Sequence, residues 1–311
     1  MPEGDAVLRT CARLHDALAG RPLTVADLRW PGLSTAILTG RVVLEVAPLG
    51  KHILIRLDNG WTLHAHLRME GRWRVLATGS PEARRAVRGA AVRAVLANAE
   101  WTAIGRDLGM LDLVRTPEEG MLVGQLGPDV LAADFDAARA AANLGSYAGT
   151  IGAGLLDQTN LAGLGTIWTS ESLFAERLSP WTPAADLSPE RLGALVATAR
   201  RLISASLTQP VPSTTGDRRR GENTYVFGRV GRPCRRCGGT VRIAPIGPET
   251  RERALNYCPT CQGGLAPTDD GRPQAPLGSR PALLTATDPA RTEDGTVRFT
   301  FVSQRTPRVG P

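Results

Sequence analysis

The chain has 311 residues, 42% of them hydrophobic, which is enough to bury a sizeable core and more length than one average domain needs. Its first twenty residues are charged from the start and no apolar run of about eighteen residues occurs, which argues against a secretory signal or a membrane-spanning helix and leads us to expect a cytoplasmic protein. The formal net charge is +7, and residues 217–253 carry +6 of it, with ten arginines against Asp217, Glu222, Glu249 and Glu252, so a polyanionic partner is expected at one place on the molecule.

In chain order, Asp5–Leu18 comes first, with Val7, Leu8, Cys11, Leu14 and Leu18 at the spacing of an amphipathic helix. Within a β-rich stretch over residues 41–76, Ile53, Ile55 and Leu57 alternate, Asp58-Asn59-Gly60 supplies a tight turn, and Trp61, Leu63, Ala65 and Leu67 alternate on the way back, which predicts a hairpin. Strand-like runs follow over Val87–Leu96 and Trp101–Val114, so residues 1–118 read as a sheet-rich domain with an N-terminal helix. From about Ala132 the pattern turns helical, with segments at Asp134–Asn143, Ala153–Asn160, Ile167–Leu178 and Pro189–Leu207, in a helical domain placed at residues 131–222. A polar loop over residues 209–223 leads to a short strand pair and a cysteine cluster at residues 223–264. Residues 265–311 are rich in Pro, Gly, Thr and Asp and are predicted to be disordered, because they bury too little apolar surface to offset chain entropy. The class is α+β.

Four of the five cysteines form Cys234-x-x-Cys237 and Cys258-x-x-Cys261, twenty residues apart, a spacing that presents four thiolates to one structural Zn²⁺. Such a site is closed and holds a fold together; around it Arg235, Arg236, Arg251 and Arg253 are placed to face phosphates. Cys11 is left over and reads as a small core residue. His64 and His66 read as a strand-face pair, each with one polar partner, rather than as metal ligands.

Lys51 is the only lysine among the 37 basic residues. Arginine is a permanent cation, whereas lysine keeps a titratable amine. A second amine arises if Met1 is removed: the nitrogen of Pro2 would have an intrinsic pKa of about 7.7–8.0, against about 10.4 for lysine, so roughly a tenth of it is neutral at pH 7. A secondary amine attacking an aldehyde-level carbon yields an iminium ion with no N–H proton to lose, which keeps its charge as an electron sink and acidifies the neighbouring carbon. The plainer reading of Pro2 is that it starts the first helix. Gly163-Leu164-Gly165 precedes a predicted helix and would expose backbone N–H groups to a phosphate.

MPEG at the start, then PLGKHILI, HLRMEGRWRV, LLDQTNLAGLGT and the two C-x-x-C pairs, in that order, resemble the Fpg/Nei family of DNA glycosylases over residues 1–264. The resemblance implies a β-sandwich N-terminal domain, a helix–two-turn–helix domain and a zinc-finger β-hairpin, with DNA in the cleft between the lobes. It implies that Pro2 is the nucleophile, that Glu3 protonates the ring oxygen and later shuttles protons, and that Lys51 contacts the phosphate beside the lesion and assists elimination. It further implies that Met69 fills the space of the extruded base, that Gly165 and Thr166 lie at a phosphate, and that Arg253, five residues before Cys258, binds flanking phosphates with Arg251 at hand. Three departures stand out: Thr166 replaces a usual asparagine, although threonine still caps a helix well; Ala6 stands where glutamate is frequent, with Asp5 beside it; and GRDLGML near residue 107 lacks the Arg and Phe of the Fpg branch. MPEGD and the missing pair resemble the endonuclease VIII side, so oxidised pyrimidines are the expected substrates, then formamidopyrimidines, then 8-oxoguanine.

The expectation is therefore a bifunctional DNA glycosylase/AP lyase of base excision repair that cuts by β,δ-elimination. It would act on damaged DNA as a nucleoid-associated monomer, with one structural Zn²⁺, no nucleotide cofactor and no membrane partner. A catalytically weak damage- or structure-specific DNA-binding protein of the same fold is the alternative that Thr166 and Ala6 keep open.

Overall fold

Alternation along two strands sets the first lobe: Ile53, Ile55, Leu57, Leu63, Ala65 and Leu67 are all buried, while the residues between them face the other side of the sheet. The computed structural model describes residues 2–274, apart from Pro210 and Arg220, together with four two-residue strands beyond them. After α1 (Gly4–Leu18) come β1 (Val25–Leu28), β2 (Val43–Leu49), β3 (His52–Leu57), β4 (Trp61–His66), β5 (Arg72–Ala77), α2 (Pro81–Ala86), β6 (Val92–Ala97), β7 (Trp101–Arg106) and β8 (Met110–Arg115). The strands form two four-stranded antiparallel sheets, ordered β1-β6-β7-β5 and β2-β3-β4-β8. Their inner faces share one core, to which β3 and β4 bring Ile53, Ile55 and Leu63, the other sheet Trp73, Ala94 and Leu96, and α1 Val7, Cys11, Leu14 and Leu18. The lobe is a β-sandwich with a helix in its core. The β3–β4 turn closes as expected: Gly60 takes a φ of +75° and donates its N–H to the Leu57 carbonyl at 3.2 Å.

Two strand expectations change. The strand predicted from Val87 starts at Val92, because Ser80 caps α2 by accepting from the Ala83 N–H at 3.1 Å, with Pro81 in the first turn. The run Trp101–Val114 is two strands, since Asp107 adopts a φ of +51° and Gly109 donates to the His66 carbonyl at 3.0 Å, turning the chain between them.

The second lobe contains α3 (Gly120–Val123), α4 (Ala137–Gly145), α5 (Ile151–Leu156), α6 (Thr166–Ala175) and α7 (Pro189–Ser206), with Leu144, Ile151, Leu155, Trp168, Leu173 and Leu195 at its centre. α4 starts three residues later than predicted because Asp136 is its cap, accepting from the Arg139 N–H at 2.9 Å. α5 ends at Leu156 because Asp157 Oδ1 turns back to accept from the N–H and hydroxyl of Thr159, at 2.9 and 2.7 Å. β9 (Arg242–Ile246) and β10 (Arg253–Tyr257) form an antiparallel hairpin, and its Ile246 and Leu255 enter the helical core. Glu171 of α6, 1% exposed, accepts from the N–H groups of Tyr225, Val226 and Phe227 at 2.9, 2.8 and 2.9 Å, which moors the loop ahead of the hairpin.

Residues 265–274 fall within the segment expected to be disordered, yet they pack on this hairpin. Asp269 pairs with Arg242 and accepts from the Tyr257 hydroxyl at 2.5 Å, and the Gln274 amide bonds the N–H and carbonyl of Ile243, both at 2.9 Å. A buried ion pair and a side chain that satisfies a strand edge supply what apolar periodicity did not reveal. Further on, β11 (Thr285–Ala286) pairs with β14 (Phe301–Val302), and β12 (Ala290–Arg291) with β13 (Val297–Arg298); for the rest of 275–311 the expectation lies outside the described residues. Among the described residues no helix is long and apolar enough to cross a membrane.

Candidate active site

The start of α1 and the start of α6 meet through bare backbone. Gly4 donates to the Gly163 carbonyl at 2.8 Å, and a Cβ on Gly4 would stand 3.1 Å from both the Cα and the oxygen of Gly163. The loop before α6 is held from inside by Gln158, which accepts from the Gly163 N–H at 3.0 Å and donates to the Leu164 carbonyl at 3.0 Å.

This approach lays the Glu3 side chain across the first turn of α6. Oε1 accepts from the Ile167 N–H at 2.7 Å, and Oε2 accepts from Gly165 at 2.7 Å and Trp168 at 3.4 Å. These are the amides that a helix leaves unpaired at its start, where the helix dipole also favours negative charge. Gly165 is needed for the fit, because a Cβ there would lie 2.5 Å from Glu3 Cδ. The carboxyl is only 2% exposed. Burial pushes its pKa up, Lys51 and the three backbone N–H bonds pull it down, and it settles at about 7, so it exchanges a proton near neutrality.

Lys51 sits in the β2–β3 turn, pressed on the same loop: Gly50 donates to Asp129 Oδ2 at 2.8 Å, and a Cβ on Gly50 would meet the Ala162 Cβ at 3.0 Å. Burial lowers the pKa of the Lys51 amine, Glu3 raises it and Arg253 lowers it further, to about 8. Arg253 opens β10 opposite Ile246, and with Arg251, Asp157 and Gln158 it lines a cleft of about 360 Å³. Glu3, Lys51, Gly165 and Arg253 are thus brought to one place from four separate parts of the chain. Pro2, partly exposed, directly precedes Glu3.

Met69 projects from the β4–β5 turn, 57% exposed, at the same sheet end as Lys51, because His66 of β4 pairs in register with His52 of β3. Thr166 does not cap α6. Gly165 occupies the cap position, Thr166 is the first helical residue, and the capping acceptor comes from Glu3 across the interface. Asp5 turns inward, accepting from Ser206 Oγ at 3.0 Å, Trp168 Nε1 at 3.3 Å and Arg9 at 2.9 Å, so it joins α1 to α6 and α7. Gln158 and Asp129, which shape the loop and the lysine turn, were not anticipated; a glutamine or an aspartate in a polar loop carries no local mark of a partner tens of residues away. His66 has the one polar partner expected, the Arg68 N–H, whereas His64 has two, Asp112 and His52, because strand register sets it across from the one and diagonal to the other.

The Sγ atoms of Cys234, Cys237, Cys258 and Cys261 all lie within 4.8 Å of one another, and the Arg236 N–H points at Cys234 Sγ at 3.4 Å. Four converging thiols with backbone N–H support are a donor set suited to a metal ion.

Two family models match the chain: the formamidopyrimidine-DNA glycosylase N-terminal domain over residues 1–106 and the formamidopyrimidine-DNA glycosylase H2TH domain over residues 126–215. A Streptomyces coelicolor protein named probable endonuclease 8 2 is 47% identical over 275 residues, 88% of this chain and 98% of its own length. Endonuclease 8 2 of Mycobacterium bovis is 40% identical over 84% of this chain and 100% of its own, and a Mycolicibacterium smegmatis protein named DNA-(apurinic or apyrimidinic site) lyase Nei2 is 38% identical over 84% and 99%. The fold matches that of Lactococcus lactis formamidopyrimidine-DNA glycosylase, crystallised non-covalently bound to DNA containing an AP site, with a TM-score of 0.71 over 84% of this chain and 99% of that one at 22% identity. A buried acid seated on a helix start beside a lone lysine, in a chain matched along most of its length by these enzymes, places it in the formamidopyrimidine-DNA glycosylase/endonuclease 8 family of DNA-repair glycosylases with AP lyase activity.

Proposed function

We propose that this enzyme removes oxidised bases, pyrimidines first, through a Schiff base at Pro2 followed by β- and δ-elimination. The observation that carries the reading is the Glu3 carboxyl, buried on the α6 amides, protonatable at about pH 7 and one residue from the chain's first amine once Met1 is gone. The Pro2 nitrogen bonds to C1′ as the bond from C1′ to the base breaks; the base leaves with that electron pair and takes up the amine's proton. Glu3 gives its proton to the ring oxygen as the C1′–O4′ bond opens, leaving an iminium ion. Loss of a C2′ proton sends electrons into the iminium and expels the 3′-phosphate; a second elimination releases the 5′-phosphate.

In this reading Lys51 and Arg253 hold phosphates beside the lesion, the side chain of Thr166 lies along the strand while the expected phosphate contact of the Gly165 amide is given up to Glu3, and Met69 occupies the space of the extruded base. Zinc in the four-cysteine site would fix the β9–β10 hairpin that carries Arg253. The chain works as a monomer. Missing the Arg-Phe pair near residue 107 favours pyrimidine lesions over 8-oxoguanine. Borohydride trapping on duplexes carrying an oxidised pyrimidine, a formamidopyrimidine or 8-oxoguanine tests this, with mass spectrometry of the adduct. We expect the adduct on Pro2 and the fastest trapping with the pyrimidine; an adduct on Lys51, or 8-oxoguanine processed fastest, overturns it.

A further inference from the structure

Behind Lys51 runs a chain of polar groups that the chemistry above does not use. His64 is 0% exposed and spends both ring nitrogens inside the protein: Nδ1 lies 2.9 Å from Asp112 Oδ2 and Nε2 lies 2.8 Å from His52 Nδ1. The strand register builds it, since His64 sits directly across from Asp112, and His52, paired with His66, is its diagonal neighbour on the same face. The far end is thus the residue that follows Lys51.

With His64 uncharged, the hydrogen bonds set where the hydrogens are. A carboxylate only accepts, so the hydrogen of His64 lies on Nδ1. A neutral His64 then offers a lone pair at Nε2, which His52 meets with a hydrogen on Nδ1, and His52 is left with a lone pair on Nε2. His66, whose ring stands edge-on to His52 at 4.9 Å, accepts from the Arg68 N–H through Nδ1 at 3.0 Å, which leaves its hydrogen on Nε2. Burial, aided by the neighbouring cations and imidazoles, pushes His52 down to about 3 and His66 to about 4, so both are uncharged at neutral pH. Lys51 itself makes no hydrogen bond through its amine among the described residues, so its position is set by its surroundings.

We propose that Asp112 and His64 hold His52 in the Nδ1–H tautomer, and that His52 is a positioning residue for Lys51, presenting an uncharged acceptor to its amine when DNA is bound. The proposal rests on the lyase reading of the site. It would fail separately, because the tautomer can be read without any turnover.

Long-range ¹H–¹⁵N spectra of histidine-labelled protein give the tautomer of each ring. We expect hydrogen on Nδ1 of His52 in the wild type. Asp112→Asn keeps an oxygen acceptor for His64 and should preserve that state, whereas Asp112→Ala frees His64 to move its hydrogen to Nε2 and turn the whole chain around. On DNA with a preformed abasic site, Asp112→Ala should lower kcat by about tenfold or more with KM unchanged, the scale of a misplaced reacting group, and Asp112→Asn should restore most of it. Hydrogen on Nε2 of His52 in the wild type overturns the proposal, and so does an Asp112→Ala variant that reverses the tautomer yet keeps full kcat. If the wild type shows the Nδ1–H tautomer but no adduct forms at Pro2, the lyase reading has failed and the histidine chain stands as built.

Discussion

Gly165→Ala isolates the contact between Glu3 and α6. Its φ of −129° is open to alanine, so no backbone strain enters, and the effect is steric: the new Cβ would stand 2.5 Å from Glu3 Cδ and 2.7 Å from Oε1, about 1 Å inside ordinary carbon contact. The carboxyl must withdraw from the amides of Gly165 and Ile167. Two hydrogen bonds to a partly charged group represent about 2–4 kcal/mol, from which the lower entropy of an unfolded chain with alanine removes about 0.4–1 kcal/mol. Urea unfolding should therefore show a loss of about 1–3.6 kcal/mol, and excision of an oxidised base should fall about 100-fold as the acid leaves its seat. A double-mutant cycle with Glu3→Ala completes the test, since without the carboxyl the added methyl should cost almost nothing. Equal destabilisation in both backgrounds, or full excision by Gly165→Ala alone, refutes the reasoning.

Glu3→Gln keeps the size of the side chain, turns one of the two acceptors facing the α6 amides into an NH2 and cannot supply a proton; base excision should drop about 10²- to 10⁴-fold while cleavage of a preformed abasic site, measured on gels, loses less. The same variant tests the pKa: the folded protein holds the Glu3 proton more tightly than the unfolded chain does, so that contribution to stability is complete below about pH 4.5 and is lost as pH rises through about 7. Wild-type stability relative to Glu3→Gln should thus decline by up to about 3 kcal/mol over that interval, and a flat difference in urea midpoints would contradict it. Removing metal with a chelator, or Cys258→Ser, should release the β9–β10 hairpin and weaken DNA binding by filter assay, with zinc recovered in the chelate; unchanged binding by metal-free protein would count against a structural site.

Much of the molecule was legible from local pattern. Period-two alternation around Asp58-Asn59-Gly60 specified the hairpin, the spacing of Val7, Cys11, Leu14 and Leu18 specified α1, and the paired C-x-x-C spacing specified four converging thiols, because each is a short-range consequence of side-chain direction along a helix, strand or turn. Element ends were less legible: α2 is too short to show a helical repeat although Ser80 and Pro81 signal its start, and α5 stopped short because Asp157 found a nearer partner. What no local pattern could decide was who meets whom. Glu3 reaches the amides of residues 165–168, Gly50 presses on Ala162, Asp269 closes on Arg242, and Asp112 touches His64 through strand register, all contacts whose partners lie far apart in sequence and become neighbours only when the chain folds. The pKa of Glu3 belongs to the same class, since desolvation is set by everything packed around the carboxyl, and the residue's own identity gives only the starting value from which packing moves it.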